Sequence, residues 1–457
     1  MLTDIFGNDV TLNSPSSRDD WDRMQLAFLA HSAATPTHLA AVLTAEPGFA
    51  MGHAVKGLFY MMLSRRELVQ TAREALTTAQ AAVRQTPVTP RELLFVTALG
   101  HCLNGQIRAA RECMETVLRS APQDALALKI SHGLGFVVGD ASGMRQSIET
   151  ALPHYSEDHA AYGYVMGCYA FALEETGEYA RAQQAGLKGL TFAKDDAWGL
   201  HAVAHVFDMT ANAKAGLDWL SGREEAWSHC NNFRYHVWWH KALMHLDQGD
   251  VAQVLALYDT EIRKDKTDDY RDISNATSLL SRLELEGVNV GHRWEELADL
   301  SENRTQDGCL IFADLHYLMA LVRDDRAVAV RDITARLAKD AQTRCCDLGQ
   351  AMADPGLAAA AGLEAFGDAN YESAFLNLSK ARQTLQLAGG SHAQRDVFER
   401  LTIDSAIRGG FLNEAKGILE ERCAKRDGAE DRYAAVRFEM IAKGLTDAES
   451  LRSVAAE

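Results

Sequence analysis

Between Pro153 and Pro355 the chain contains no proline, while Ala, Leu, Glu and Arg are abundant throughout. Proline is the strongest helix breaker and those four residues are good helix formers, so this stretch can run as successive helices with few forced interruptions. Small residues, glycines and aromatics also recur at a near-constant step. A frame opened at Arg91 holds Ala98, Gly105, Ala110 and Pro122. One opened at Gly163 holds Ala170, Gly177, Tyr179 and Ala182, and one at Tyr235 holds Trp238, Ala242, Gly249 and Tyr258. Weaker copies surround Gly367, Tyr371 and Ala374, and again Gly410 and Ala415.

A 34-residue unit with small residues, glycine and proline at these places is the pattern of the tetratricopeptide helix pair. The expected fold is therefore all-α: tetratricopeptide-like helix-turn-helix repeats forming a curved superhelix that can close around a central cavity. Each repeat needs to bury apolar surface only against its neighbours, so 457 residues can form one continuous array. The organisation expected is an irregular lead-in over 1–20, a helical-repeat domain over 21–440 and a terminal helix or tail over 441–457. Thr89-Pro90-Arg91-Glu92 predicts a capping box opening a helix to about Leu103. Glycines 105, 177, 249 and 410 mark the ends of first helices. No turn signal between alternating apolar runs points to strand hairpins.

The formal net charge is −17. Nucleic acid and anionic membrane both require clustered Lys and Arg, so the expectation from charge is no nucleic acid and no membrane. The longest apolar stretch, Phe49 to Leu63, contains His53 and Lys56 and is too short to span a bilayer. The 8 cysteines form no C-x-x-C pair, and the opening residues carry no secretion signal. The chain reads as cytoplasmic with reduced thiols.

One region concentrates the chemistry. Six of 16 histidines lie from His201 to His245, and five of seven tryptophans from Trp198 to Trp239. His201/His205 and His236/His240 are each spaced i, i+4, which puts each pair on one helix face. The pairs are 35 residues apart, one repeat, and a further step reaches Arg271 and Asn275, beside Asp272. These positions form a polar ladder across three first helices, on the concave face. His201, His205 and Asp208 offer two imidazoles and a carboxylate to a metal, although no zinc-peptidase H-E-x-x-H occurs. Alternatively the imidazoles act as acid and base, or bind an anion with Arg271. The third possibility is that they only pair with Asp208, Asp272 and backbone carbonyls. Trp238 reads as packing, while Trp198 and Trp239 can floor a pocket. Asn231 or Asn232 reads as a helix N-cap, and Glu174-Glu175 as a solvated helix face. His316 lies beside Asp314 in an apolar helix. Gly389-Gly-Ser-His392-Ala-Gln-Arg395-Asp396 breaks one helix and starts another with Ser391 as N-cap, a place where an anion can be held.

Several segments resemble the tetratricopeptide repeat protein 38 family. They are Ala170-Phe-Ala-Leu-Glu-Glu175 with Gly177-Glu-Tyr179, His201-Ala-Val-Ala-His205-Val, and Tyr235-His236-Val-Trp-Trp-His240-Lys-Ala-Leu. Asp272-Ile-Ser-Asn275-Ala with Arg282, Val290-Gly-His-Arg-Trp294 and the Gly389 to Asp396 run complete the set, in order from about residue 90 to 425. Asp208 stands where that family has Glu, and Val237 where it has Asn. The resemblance implies a helical-repeat fold and no firmly assigned activity.

The functional expectation is a concave face rich in His and Trp that binds a peptide or small polar molecule. It would involve Trp198, Trp239, Arg271, Asn275, His392, Arg395 and Asp396. The alternatives are an enzyme for hydrolysis or proton transfer, with His201, His205, His236, His240, Asp272 and His316 as candidates and a metal as possible cofactor, or a structural adaptor. Self-association is also open.

Overall fold

The structure, a computed structural model, describes residues 1–343 and 345–455, with side chains described to 448. From Pro90 onward it is a run of antiparallel helix pairs. Their first helices are Pro90–Leu103, Ala125–Val137, Tyr162–Glu175, Ala197–Met209, Phe233–Asp247, Tyr270–Leu285, Ile311–Arg323, Leu357–Gly367 and His392–Arg408. Each first helix packs on its own second helix, and from Tyr162 to Arg323 also on the first helix of the following repeat. Two further pairs, Pro15–Leu29 with Thr35–Ala45 and Ala50–Met62 with Arg66–Gln85, precede the array. The final helix, Arg432–Ala455, follows Leu412–Lys425. Among the described residues the two short strands, Leu2–Thr3 and Asp9–Val10, pair antiparallel around Gly7. This small hairpin lacks the turn signal sought in the sequence.

The two helices of a pair differ in burial, and the difference follows from composition. Tyr162–Glu175 is buried on every side except Tyr169, and Tyr270–Leu285 is buried almost throughout. Tyr179–Phe192 buries only Tyr179, Ala182, Ala185, Gly186 and Gly189, the stripe of a one-sided helix. First helices therefore form the inner layer, and polar residues on them are held out of water.

The local signals act as their chemistry requires. Thr89 and Glu92 form a reciprocal capping box, as do Ser391 and Gln394. Gly105, Gly177, Gly249 and Gly410 all have φ between 70° and 83°. At Gly177 the backbone N–H donates to Glu174 O at 2.9 Å and that of Glu178 to Leu173 O at 2.9 Å, the paired closure of a helix end that a side chain would strain.

The superhelix closes on itself. The helix His392–Arg408 packs against both Tyr270–Leu285 and Ala197–Met209. Arg65 Nη2 lies 2.9 Å from Asp268, Arg304 Nη1 2.9 Å from Glu67, and Arg108 Nη1 2.7 Å from Asp347. At the N-terminal side, the Asn231 N–H donates to His31 O at 2.9 Å and Ser32 pairs with Cys230. Cys230 is fully buried by this contact and its thiol is pushed up to about 12, the opposite of an activated nucleophile.

Candidate functional site

Four imidazoles meet at the centre of the closed array. His201 Nε2 lies 2.8 Å from His205 Nε2 and 3.1 Å from His236 Nε2, and His240 Nε2 lies 3.2 Å from His236 Nε2. Exposure is 1%, 0%, 8% and 0% for His201, His205, His236 and His240. The convergence follows from two periodicities. The i, i+4 spacing stacks each pair on the inner face of its helix, and the 35-residue step brings the second pair beside the first. Burial, and then the neighbouring imidazoles, keep His201 and His240 well below the ordinary histidine range, and burial takes His236 down to about 3. These rings are neutral at physiological pH. His205 differs: burial opposes its charging, but the Glu174 carboxylate, with Oε2 at 3.3 Å from Nδ1, raises it.

The third rung divides. Asn275 Oδ1 lies 3.0 Å from His236 Nδ1 and orients that ring. Arg271 is held by Asp269, which accepts from Nε at 2.8 Å and Nη2 at 2.6 Å. Asp272 accepts from Asn232 Nδ2 at 2.6 Å and from the Thr267 hydroxyl, and burial followed by the Asp269 charge pushes it up to about 6. Asn232 thus spends its side chain on Asp272 instead of capping. Asn231 Oδ1 takes the Phe233 N–H at 3.0 Å.

Beside the tetrad lies a cavity. Its walls are Phe136, Phe171, Trp198, Phe233, Tyr270 and Phe312, with His201, His236, Asn232, Arg271, Ser391 and Gln394 as the polar elements. The cavity has a volume of about 80 Å³. Trp198 is clamped from behind, with His31 stacked at 5.4 Å between ring centroids and the Lys129 ammonium 4.6 Å from its ring. Gly390, at φ 78°, lines the same cavity, and a Cβ there would come within 2.6 Å of the Phe312 ring.

Other expected residues lie elsewhere, each for a physical reason. Asp208 does not join His201 and His205: it is part-exposed, its backbone carbonyl accepts from Arg426, and its carboxylate lies 3.6 Å from that guanidinium. Trp239 is fully buried beneath the tetrad, stacked on His236 at 5.2 Å, and does not reach the cavity, whereas Trp238 is half-buried against Trp227. Asp396 is consumed by Arg400 at 2.6 Å and Arg422 at 2.7 Å. His316 sits apart, its Nδ1 bonded to Phe312 O at 2.7 Å. The Gly389-Gly390 turn does present a helix N-terminus to an anion, but the anion is internal: the His392 N–H donates to Glu175 at 2.8 Å, and His392 Nε2 and Arg395 lie 3.4 Å from it. Burial would raise the Glu175 carboxyl; His392 and Arg395 hold it below its ordinary value.

Glu174 and Glu175 are accordingly buried, at 0% and 6% exposure, and not a solvated face. A signal for Glu174 existed. One repeat back from His205 is Ala170, and Glu174 lies one turn further on the same face.

Burial pushes His316 down to about 4 from 6.5, against the Phe312 carbonyl. Below pH 6.5 the unfolded chain binds a proton there that the folded chain refuses, so stability falls as pH falls. Between pH 7.5 and 4 the wild type should lose about 3 kcal/mol more than His316→Gln, at ~1.4 kcal/mol per pH unit. Urea unfolding of both proteins at the two pH values checks this.

No protein-family profile matches the chain. Among solved structures it is similar to the human IFIT1 dimer with PPP-AAAA, at 13% identity and TM-score 0.42, covering 97% of each chain. It is also similar to the human IFIT1 dimer with m7Gppp-AAAA, at 12% identity and TM-score 0.34 over 96% of each. For Naa15/Naa10 bound to HypK-THB the identity is 11% and the TM-score 0.25, over 92% of this chain and 64% of that one. The exclusion of nucleic acid drawn from net charge is corrected, since the first two are structures with PPP-AAAA and m7Gppp-AAAA. Total charge does not report the potential inside a closed cavity, and no ligand is carried over from them. Among the described residues no helix is long and apolar enough to cross a membrane. The helix pairs, their glycine-closed ends and their stacked inner layer make this chain an all-α solenoid of the tetratricopeptide type.

Proposed function

We propose that the chain binds a small molecule with a flat apolar body and one acidic group in the cavity beside the four histidines. The observation that carries this reading is the composition of the wall: aromatic rings on most sides, and one guanidinium fixed at its edge. Asp269 holds Nε and Nη2 of Arg271, which leaves Nη1 to pair with a ligand carboxylate. Asn232, Ser391 and Gln394 supply further polar contacts, the arrangement typical of small-ligand pockets. The open space holds several waters, at roughly 10–15 Å³ each, or a ligand of similar bulk, and not an extended peptide. A small ligand is therefore preferred to a peptide. Membership of the tetratricopeptide repeat protein 38 family, and a reducing cytoplasmic compartment that suits the free cysteines, belong to the same proposal.

Benzoate and inorganic phosphate serve as probes. Benzoate should raise the thermal midpoint of the wild type by a few degrees and quench tryptophan fluorescence through Trp198. Both effects should vanish in Arg271→Gln. Phosphate, lacking the apolar body, should do neither. A wild type indifferent to benzoate, or an Arg271→Gln protein that responds equally, counts against the reading.

A further inference from the structure

The close approach of the four Nε2 atoms is hard to reconcile with imidazoles alone. A neutral imidazole nitrogen carries one proton or offers one in-plane lone pair, never both. The contacts run His205–His201–His236–His240 through Nε2 at every step, at 2.8, 3.1 and 3.2 Å. Alternating donors and acceptors along this line forces one inner nitrogen to share a single proton between two neighbours. The other inner nitrogen must receive two protons on a single lone pair. At least one contact is then two nitrogens pressed together with nothing between them, deep in the protein. A cation at the centre removes the conflict, because all four nitrogens can then present lone pairs to it.

We infer that His201, His205, His236 and His240 hold a divalent transition-metal ion of the zinc class. All four ligand atoms lie within 4.8 Å of one another. Tetrahedral coordination at a zinc–nitrogen distance of about 2.0–2.1 Å places nitrogens about 3.3 Å apart. The three short contacts, at 2.8, 3.1 and 3.2 Å, open slightly to reach this spacing, and the wider pairs, all within 4.8 Å, close toward it. The set contains imidazoles only, which suits zinc, copper, iron or nickel and not magnesium or calcium.

The surroundings independently favour positive charge. Asn275 Oδ1 accepts from His236 Nδ1 at 3.0 Å, which leaves His236 Nε2 free of a proton. Glu174 Oε2, 3.3 Å from His205 Nδ1, stands where a carboxylate behind the ligands orients a metal-bound histidine. Glu174 is fully buried, and among the described residues no Lys or Arg lies in ion-pair distance of its carboxylate. A buried carboxylate normally has a cationic partner. The adjoining trio Glu174, Glu175 and His392 also clusters, but Arg395 already supplies the cation there. The tetrad is where a charge of opposite sign is still wanted. The inference does not depend on the organic ligand proposed above, since the ion sits behind His201 and His236.

Two measurements test it. The full chain is incubated with Zn²⁺, freed of excess by gel filtration and analysed for metal, alongside His205→Gln/His240→Gln and Glu174→Gln. About one zinc per wild-type chain is expected, near zero in the double variant. Glu174→Gln should bind about 10- to 100-fold more weakly. Wild type with no more zinc than the double variant overturns the inference. Should the double variant fail to fold, the Co²⁺ spectrum of the wild type decides. Intense visible bands of tetrahedral nitrogen ligation support the site, and the faint spectrum of hydrated Co²⁺ overturns it. A failure of benzoate binding with zinc retained would remove only the ligand reading.

Discussion

Arg422→Ala is expected to lower the free energy of unfolding by about 3–5 kcal/mol, the cost of leaving buried charges unpaired. Arg422 Nε donates to Asp396 Oδ1 at 2.7 Å, and its Nη2 and Nη1 donate to Asp431 at 2.6 and 3.0 Å. The guanidinium is 4% exposed and the Asp431 carboxylate 3%. Burial pushes both carboxyls up, yet Arg422 and its neighbours hold them well below the usual carboxylate range. Removing Arg422 leaves Asp396 to Arg400 at 2.6 Å, and Asp431 to the longer contacts of Arg400 at 3.3 Å and Arg426 at 3.6 Å. The sign with pH follows. A carboxyl that titrates lower when folded contributes stability above its unfolded value of about 4 and loses it as pH falls further. The variant should therefore lose less than the wild type below pH 4. Urea titrations at pH 7 and pH 3.5 measure both effects, and a loss under 1 kcal/mol at pH 7 would show that Arg400 and Arg426 suffice.

The second large effect is Trp239→Ala, expected to cost about 3–5 kcal/mol. Trp239 is fully buried, stacks on His236 and meets His240 edge-on at 4.8 Å between centroids. Its loss opens a void under two rings of the tetrad, so the zinc bound per chain should fall together with stability. Trp238→Ala, at a half-buried position on the neighbouring face, should cost clearly less and leave metal content unchanged. Thermal unfolding and metal analysis of the two variants separate these outcomes.

The helix pairs, the caps at Thr89 and Ser391 and the glycine ends were legible because each depends on residues a few positions apart. The histidine ladder was legible for a related reason: a helical period and a repeat period multiply into one predicted face. What was not legible depends on curvature. Nothing near Asp208 announces Arg426, 218 residues away, and nothing near Asp396 announces how closely Arg422 approaches. Trp238 and Trp239 are adjacent, so a shift of about 100° around the helix decides which enters the core. Trp238 does pack, half-buried against Trp227, but Trp239 takes the deeper place, under the histidines and not on the cavity wall. Glu174 was misjudged because two acidic residues at a helix end usually meet water, and here the returning helix His392–Arg408 covers them.

Closure also changes how the molecule comes apart. In an open solenoid each repeat answers only to its neighbours, so end units can fray or be deleted at modest cost. Here Arg65 and Glu67 grip Asp268 and Arg304, and Arg108 grips Asp347, across more than two hundred residues of chain. A ring fastened in this way ties its N-terminal pairs to the middle of the array. Removal of residues 1–85 would expose the inner layer midway round the loop, and the expected outcome is loss of the whole assembly instead of a shorter, stable one.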